Sequence, residues 1–122
     1  MPTIEFAAGN GRTKVVLSPA VMGNDLVVSV YNEFAHVGAV AVAEYDFQNN
    51  RASVSVITRL GHKDDAIAQK AAYEICRSLK RTVCVVAGVH LDNITADEIR
   101  EFTANAQAAT AQFLASKSVR LG

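Results

Sequence analysis

Thr82-Val83-Cys84-Val85-Val86-Ala87-Gly88-Val89 runs directly into His90-Leu91-Asp92-Asn93-Ile94 and then into Thr95-Ala96-Asp97-Glu98. The first segment alternates. Val83, Val85, Ala87 and Val89 share one face of a strand, while Cys84, Val86, Gly88 and His90 share the other. The last segment is a capping box, with Thr95 as N-cap and Glu98 reaching back to it. The helix it opens carries Ile99, Phe102, Ala106, Ala109 and Phe113 at spacings of three and four and runs to about Ser116. A helix with one apolar stripe, tied by a short loop to a strand with one apolar face, requires a sheet to pack on.

Working back along the chain, Ala68, Ala71, Ala72, Ile75 and Leu79 form a second helical stripe between Asp64 and about Lys80. Asp64 and Asp65 stand in its first turn, and Arg77, Lys80 and Arg81 in or just past its last. The helix dipole favours that charge order. Before it the period changes to two. Ala52–Thr58 places Val54 and Val56 on one side and Ser53 and Ser55 on the other. Asp46–Asn50 reads as a polar turn. His36–Ala43 is built from Gly, Ala and Val. Asp25–Tyr31 puts Leu26, Val28 and Val30 on one face. Thr13–Leu17 reads as an edge-like strand that Ser18-Pro19 should end, since proline cannot donate to a ladder. Asn10-Gly11 signals a hairpin turn after a short strand within Thr3–Ala8. The expectation is a single α+β domain over residues 1–122: a mostly antiparallel sheet of about six strands with two helices packed on one face. The other face carries Ser53, Ser55, Tyr31 and small residues, so it needs solvent or a second subunit. A symmetric homodimer is expected. The small-residue run Gly38–Ala43 would admit another backbone or a flat ligand.

Composition narrows the function. The chain has 122 residues, 50% of them apolar and 20% charged, which is the make-up of a compact fold. Twelve Lys+Arg balance twelve Asp+Glu, so no long-range field draws nucleic acid or anionic lipid. Tryptophan is absent, and no aromatic platform for single strands is evident. No apolar run is long enough to span a bilayer. Neither a nucleic-acid nor a membrane partner is expected. The two cysteines, Cys76 and Cys84, make no disulfide framework, and no signal-peptide pattern is seen. Reduced thiols in a cytoplasmic protein are the expectation.

The chemistry-bearing residues cluster at strand ends, where a scaffold usually displays them. All three histidines lie there: Ala35-His36-Val37-Gly38, Gly61-His62-Lys63-Asp64-Asp65 and Val89-His90-Leu91-Asp92. Arg59, Gly61, His62 and Lys63 join a strand to a helix N-terminus, a place suited to an anion. Asp64 and Asp65 can equally serve as ordinary caps there. His90, with Asp92 and Asn93 behind it, is either a hydrogen-bonding or acid/base group beside a pocket or a residue of its own turn. His62, His90 and Asp92 could in principle ligate zinc or iron, but no His-x-x-x-His or Cys-x-x-Cys pair supports it, and no metal is expected. No Gly-x-Ser-x-Gly elbow is present, and both cysteines read as small hydrophobes. No catalytic residue is assigned. Met22-Gly23-Asn24-Asp25 is turn chemistry, with backbone approach to a ligand or partner at Gly23 as the alternative.

Taken in order, Met22-Gly23-Asn24-Asp25-Leu26, His36-Val37-Gly38-Ala39-Val40-Ala41, Val54-Ser55-Val56-Ile57 with Gly61-His62-Lys63-Asp64-Asp65, and Val86-Ala87-Gly88-Val89-His90-Leu91-Asp92-Asn93-Ile94-Thr95 resemble the small accessory subunit of hydroxyarylic acid decarboxylases. That family is described as a prenylated-flavin chaperone with a fold like the proteasome assembly chaperones. The resemblance spans roughly Gly11 to Asn105. It implies a protein that binds prenylated FMN (or FMN) and assists its delivery to, or maturation in, a UbiD-type decarboxylase. The cofactor-binding residues it implies are Arg59, Gly61, His62, Lys63, His90, Asp92, Asn93, His36, Gly38 and Ser55. Two other readings remain open: a cofactor-free interaction module of the assembly-chaperone kind, and a small enzyme using His62 and His90.

Overall fold

The structure is a computed structural model, and it describes residues 4–59 and 64–116. Its strands are β1 (Phe6–Ala8), β2 (Val15–Met22), β3 (Asp25–Tyr31), β4 (Ala39–Asp46), β5 (Arg51–Thr58) and β6 (Val83–Gly88), and its helices are α1 (Asp65–Leu79) and α2 (Ala96–Ala115). One six-stranded sheet takes the order β1-β2-β3-β6-β4-β5. Pairing is antiparallel except between β3 and β6, which run parallel. The sheet is therefore mixed, and β6, the last strand in sequence, lies near its centre.

Register rows define the two faces. Leu17, Val30, Ala87 and Ala39 stand side by side across four strands, as do Val28, Val85 and Ala41 across three. All seven are buried. Helix α1 covers this face over β4, β5 and β6, and α2 covers it over β1 and β2. Phe6 of β1 meets Phe113 of α2 with ring centroids 5.6 Å apart. The small residues of β4 have a structural use. Ala39, Ala41 and Ala43 are buried under α1, whose own buried stripe includes Ala68, Ala71 and Ala72. Alanine on both sides lets the helix lie close to the sheet. Of the two uses that the sequence allowed for this run, close approach of another backbone is the one seen for these alanines, and the backbone is that of α1.

Several boundaries differ from the sequence reading. Strand β2 does not end at Ser18-Pro19 but continues to Met22, with Pro19 opposite Val28. β1 covers only Val15–Leu17, so among the described residues no strand pairs with the outer side of β2 from Ser18 onward. An edge tolerates a residue without an N–H. The Asn10-Gly11 turn is a single 3₁₀ turn over Gly11–Thr13 that links the antiparallel β1 and β2. β4 begins at Ala39, leaving 36–38 as loop.

The helix ends follow local rules. Thr95 caps α2: its hydroxyl accepts from the Glu98 N–H at 3.1 Å, and Glu98 accepts the Thr95 N–H at 3.0 Å. Asp64 occupies the N-cap position of α1 without a side-chain cap hydrogen bond. Lys80 ends α1 in the left-handed region at φ 54°.

Candidate functional site

β3 and β6 end together, at Tyr31 and Gly88. Ligands in open sheets tend to collect beyond the carboxyl ends of parallel strands. A cavity of about 470 Å³ lies there, lined by residues from the β3–β4 loop (His36), the start of α1 (Asp64, Ile67), the β6–α2 loop (Val89, His90, Leu91, Ile94) and the first turns of α2 (Ile99, Phe102, Thr103). A smaller groove of about 290 Å³ runs between the two helices. It holds alanines and the surface pair Lys70–Glu74 at 3.0 Å, and no histidine.

The polar side of the larger cavity is built around two imidazoles. The rings of His36 and His90 sit with centroids 5.4 Å apart, tilted by 38°. His90 Nε2 lies 3.2 Å from Asp92 Oδ1. His90 is about half exposed and Asp92 almost wholly so. Asn93, at φ 55°, makes the turn beyond them.

A buried neighbour positions the His90 backbone. Asn32 is 4% exposed. Its side chain bonds both ways to the His90 backbone, donating to the carbonyl at 2.8 Å and accepting the N–H at 3.0 Å. The Asn32 N–H also donates to the Gly88 carbonyl. Together these bonds extend the β3–β6 ladder past the end of the strands and set where His90 can be. Two glycines shape the other wall. A Cβ at Gly88 would collide with the His36 carbonyl oxygen, and one at Gly38 with the buried Asp64 carboxylate. Glycine lets the His36 loop close over β6 and lets Asp64 tuck under Gly38.

Arg59, just past the end of β5, ties to this loop. Its N–H donates to the Gly38 carbonyl at 2.8 Å, and its guanidinium donates to the Val37 carbonyl at 2.8 Å. Arg12 braces the far side, pairing with Glu98 at 3.0 Å and donating to the Asp92 carbonyl at 3.3 Å. The Thr95 N–H first, then Arg12, hold the Glu98 carboxyl below its usual range.

The structure thus gathers His36, His90, Asp92, Asn93, Gly38 and Arg59 at one end of the sheet. Gly61, His62 and Lys63 lie outside the described residues. Ser55 stands on the uncovered face of β5, opposite Val42, and is not among the cavity's lining residues. Sequence reading passed over Asn32 and assigned no site role to the aliphatic wall of Ile67, Leu91, Ile94 and Ile99. The one available signal was Ile99, placed in the apolar stripe of α2 although it falls in the first turn, where it is 51% exposed. Among the described residues, no group of three or more metal-ligating side chains could hold an ion. No helix there is long and apolar enough to cross a membrane.

The arrangement is an aliphatic pocket with two imidazoles at its rim, set on a sheet with one face that no described helix covers. A chain from a chaperone complex for yeast 20S proteasome assembly has the same fold, with TM-score 0.62 and 16% identity over 99% of this chain and 98% of that one. A search of curated proteins found no match. The model of the prenylated flavin chaperone LpdD-like domain matches residues 9–118, and the chain belongs to that family.

Proposed function

We propose that this protein binds prenylated FMN in the cavity at the ends of β3 and β6 and hands it to a UbiD-type hydroxyarylic acid decarboxylase. The observation that carries the reading is that cavity: aliphatic within, rimmed by His36 and His90, in a chain of the prenylated flavin chaperone family. The imidazoles offer donors and acceptors to the polar edge of a flavin. Arg59, Gly61, His62 and Lys63 precede α1 and would take the flavin phosphate, with Gly38, Asp92 and Asn93 shaping the mouth. The protein acts in the cytoplasm and is an accessory chaperone with no catalytic residue of its own.

It works as a homodimer. On the face that no described helix covers, Val27, Cys84 and Val42 form one register row and Val86, Val40 and the exposed Ile57 the next, with Val16 on β2 opposite Tyr31. Ser55 belongs to this face. A semi-apolar face of this kind suits a self-complementary partner, and the second copy is the one always at hand.

Co-expression with a flavin prenyltransferase, followed by the visible spectrum of the purified protein, tests the reading. A bound chromophore, lost in the His36→Ala, His90→Ala double variant, is the expected result. A colourless protein that still captures a decarboxylase would replace it with the cofactor-free interaction module that the assembly-chaperone fold also allows.

A further inference from the structure

The two outer edges of the sheet are not alike. At one of them β1 has only three residues, and the stretch of β2 beyond it carries Pro19. A short strand and a proline are among the devices that keep an edge from pairing with another chain. The other edge is β5. It runs for eight residues and pairs with β4 in one unbroken register. It has no proline, and no charged residue from Ala52 to Thr58. Among the described residues no strand pairs with its outer side.

The ladder fixes which groups that edge offers. The Arg59 N–H donates to the Gly38 carbonyl, flanking the register pair Ala39 and Thr58. In an antiparallel ladder, inward and outward groups alternate along the strand. Arg59, Ile57, Ser55 and Ser53 thus turn their backbone groups toward β4. Thr58, Val56, Val54 and Ala52 turn theirs outward. The side chains of Ala52, Val54 and Val56 are half-buried against the core on the α1 side. A strand added here gains backbone bonds to these residues and sets every second side chain beside a half-open apolar row.

Charge selects the occupant. Arg51 opens β5 and Arg59 follows its end, and β5 itself carries no carboxylate. Asp46, 3.9 Å from Arg51, and Glu44 both lie on β4, inside the edge. A second copy suits this edge poorly. Antiparallel self-pairing that uses all of Ala52–Thr58 sets Arg51 of each copy opposite Arg59 of the other, and like charges directly opposite are destabilising. We propose that the β5 edge is a docking strip for an extended segment of a different protein, apolar at alternate positions and acidic at both ends, which joins the sheet as a further strand. Arg59 ties the end of β5 to the His36 loop, so the docked segment reaches the cavity end of the sheet. The strip stands apart from the cavity and from the uncovered face, and its use requires neither a flavin nor a dimer.

The probe is a synthetic peptide as long as β5, blocked at both termini, alternating valine and threonine between two glutamates. It is titrated to about 1 mM into the full chain and followed by amide NMR. The N–H signals of Val54 and Val56 should move to lower field, and that of Ser55, already turned to β4, should move less. The same peptide ended in lysines should bind at least about threefold more weakly, since two exposed attractions become repulsions. A proline at the centre of the peptide should abolish binding. In the protein, Val54→Pro removes an outward N–H without cutting the β4–β5 ladder and should have the same effect, with circular dichroism checking the fold. The proline peptide leaves the protein unaltered and decides the matter if that variant does not fold. No response at β5, or equal binding of the acidic and lysine-ended peptides, overturns the proposal. Equal or tighter binding of a peptide copying residues 51–58 also overturns it, because the occupant would then be a second copy.

Discussion

Asn32 treats His90 as a neighbouring strand would. Its amide donates to the His90 carbonyl at 2.8 Å and accepts the His90 N–H at 3.0 Å, and both bonds lie just past the last register pair of β3 and β6. A side chain thus does the work of a backbone ladder where the ladder stops. Asn32→Ala should leave two backbone groups of His90 without these partners. A buried group stranded in this way costs roughly 1–3 kcal/mol. Urea denaturation should show a loss of that size, and flavin affinity should fall with it because His90 is no longer held. Asn32→Asp keeps the acceptor but turns a carboxylate toward the His90 carbonyl. It should be at least as damaging as the alanine variant.

Gly38 and Asp64 are coupled by sterics. Gly38→Ala forces a methyl into the space of the Asp64 carboxylate, and overpacking of this kind costs about 1–3 kcal/mol. Shortening the neighbour should relieve it. In the Gly38→Ala, Asp64→Ala double variant, stability should recover beyond the sum of the single changes, and a double-mutant cycle measures that coupling. Purely additive losses would mean that the two residues do not share this space.

Removing the α2 cap hydroxyl by Thr95→Ala should cost about 1 kcal/mol and leave flavin affinity largely intact. Glu98, the other half of the box, has its carboxyl held below its usual range. Its folded pKa lies beneath its unfolded one. Its contribution is therefore fully present above the ordinary glutamate range and is lost as pH falls through that range to the lower folded value. Melting curves taken from neutral to acidic pH should fall less steeply for Glu98→Gln than for the wild type. Parallel curves would show that this carboxyl does not couple to folding.

Cys84 can report on the proposed dimer. It is half-buried on the uncovered face, whereas Cys76 is fully buried and its thiol is pushed up by that burial. Light scattering at tens of micromolar (an order-of-magnitude range for a modest interface) should find a dimer. Val42→Lys, Ile57→Glu should yield a folded monomer in which Cys84 is alkylated faster than in the wild type. A monomeric wild type, or an alkylation rate that ignores the substitutions, would count against a covered face.

The loop before α1 is tested by His62→Ala, Lys63→Ala. A hydrogen bond to a charged group contributes roughly 1.5–3 kcal/mol, so losing two donors should weaken flavin binding by at least about tenfold, with native circular dichroism. Unchanged affinity would move the phosphate elsewhere, with the His90-Leu91-Asp92-Asn93 turn as the next place to probe.

What was legible in the sequence was local. The capping box at Thr95 and Glu98, the alternation of Leu26, Val28 and Val30, and the stripe from Ala68 to Leu79 each depend on residues a few positions apart, and each appears in the structure. Pro19 misled because its effect depends on whether its strand has an outer neighbour, and only the sheet order supplies that. The alanines of β4 left two uses open because small size signals close approach without saying to what, and the structure gives the backbone of α1. The grouping of His36 with His90 is legible as two strand-end histidines. Their actual proximity follows from β6 inserting beside β4, a non-local pairing that no short window of sequence contains.

The position of β6 also governs how the chain can assemble. Up to about residue 80, the chain offers two independent pieces, the β1-β2-β3 meander and the β4-β5 hairpin, which share no pairing with each other. Until β6 arrives, β3 and β4 each present a bare inner edge, and such edges are templates for wrong strand pairing. Ribosomal synthesis holds the chain in that condition until the last third has emerged. The inner strand must then find both edges over long loops, a slow, high-contact-order step. The cavity forms only in that step, because its walls come from the loop after β3, the start of α1 and the loop after β6. A nascent or partly folded chain lacks this cavity, so, on the proposed function, ligand capture would report that folding is complete.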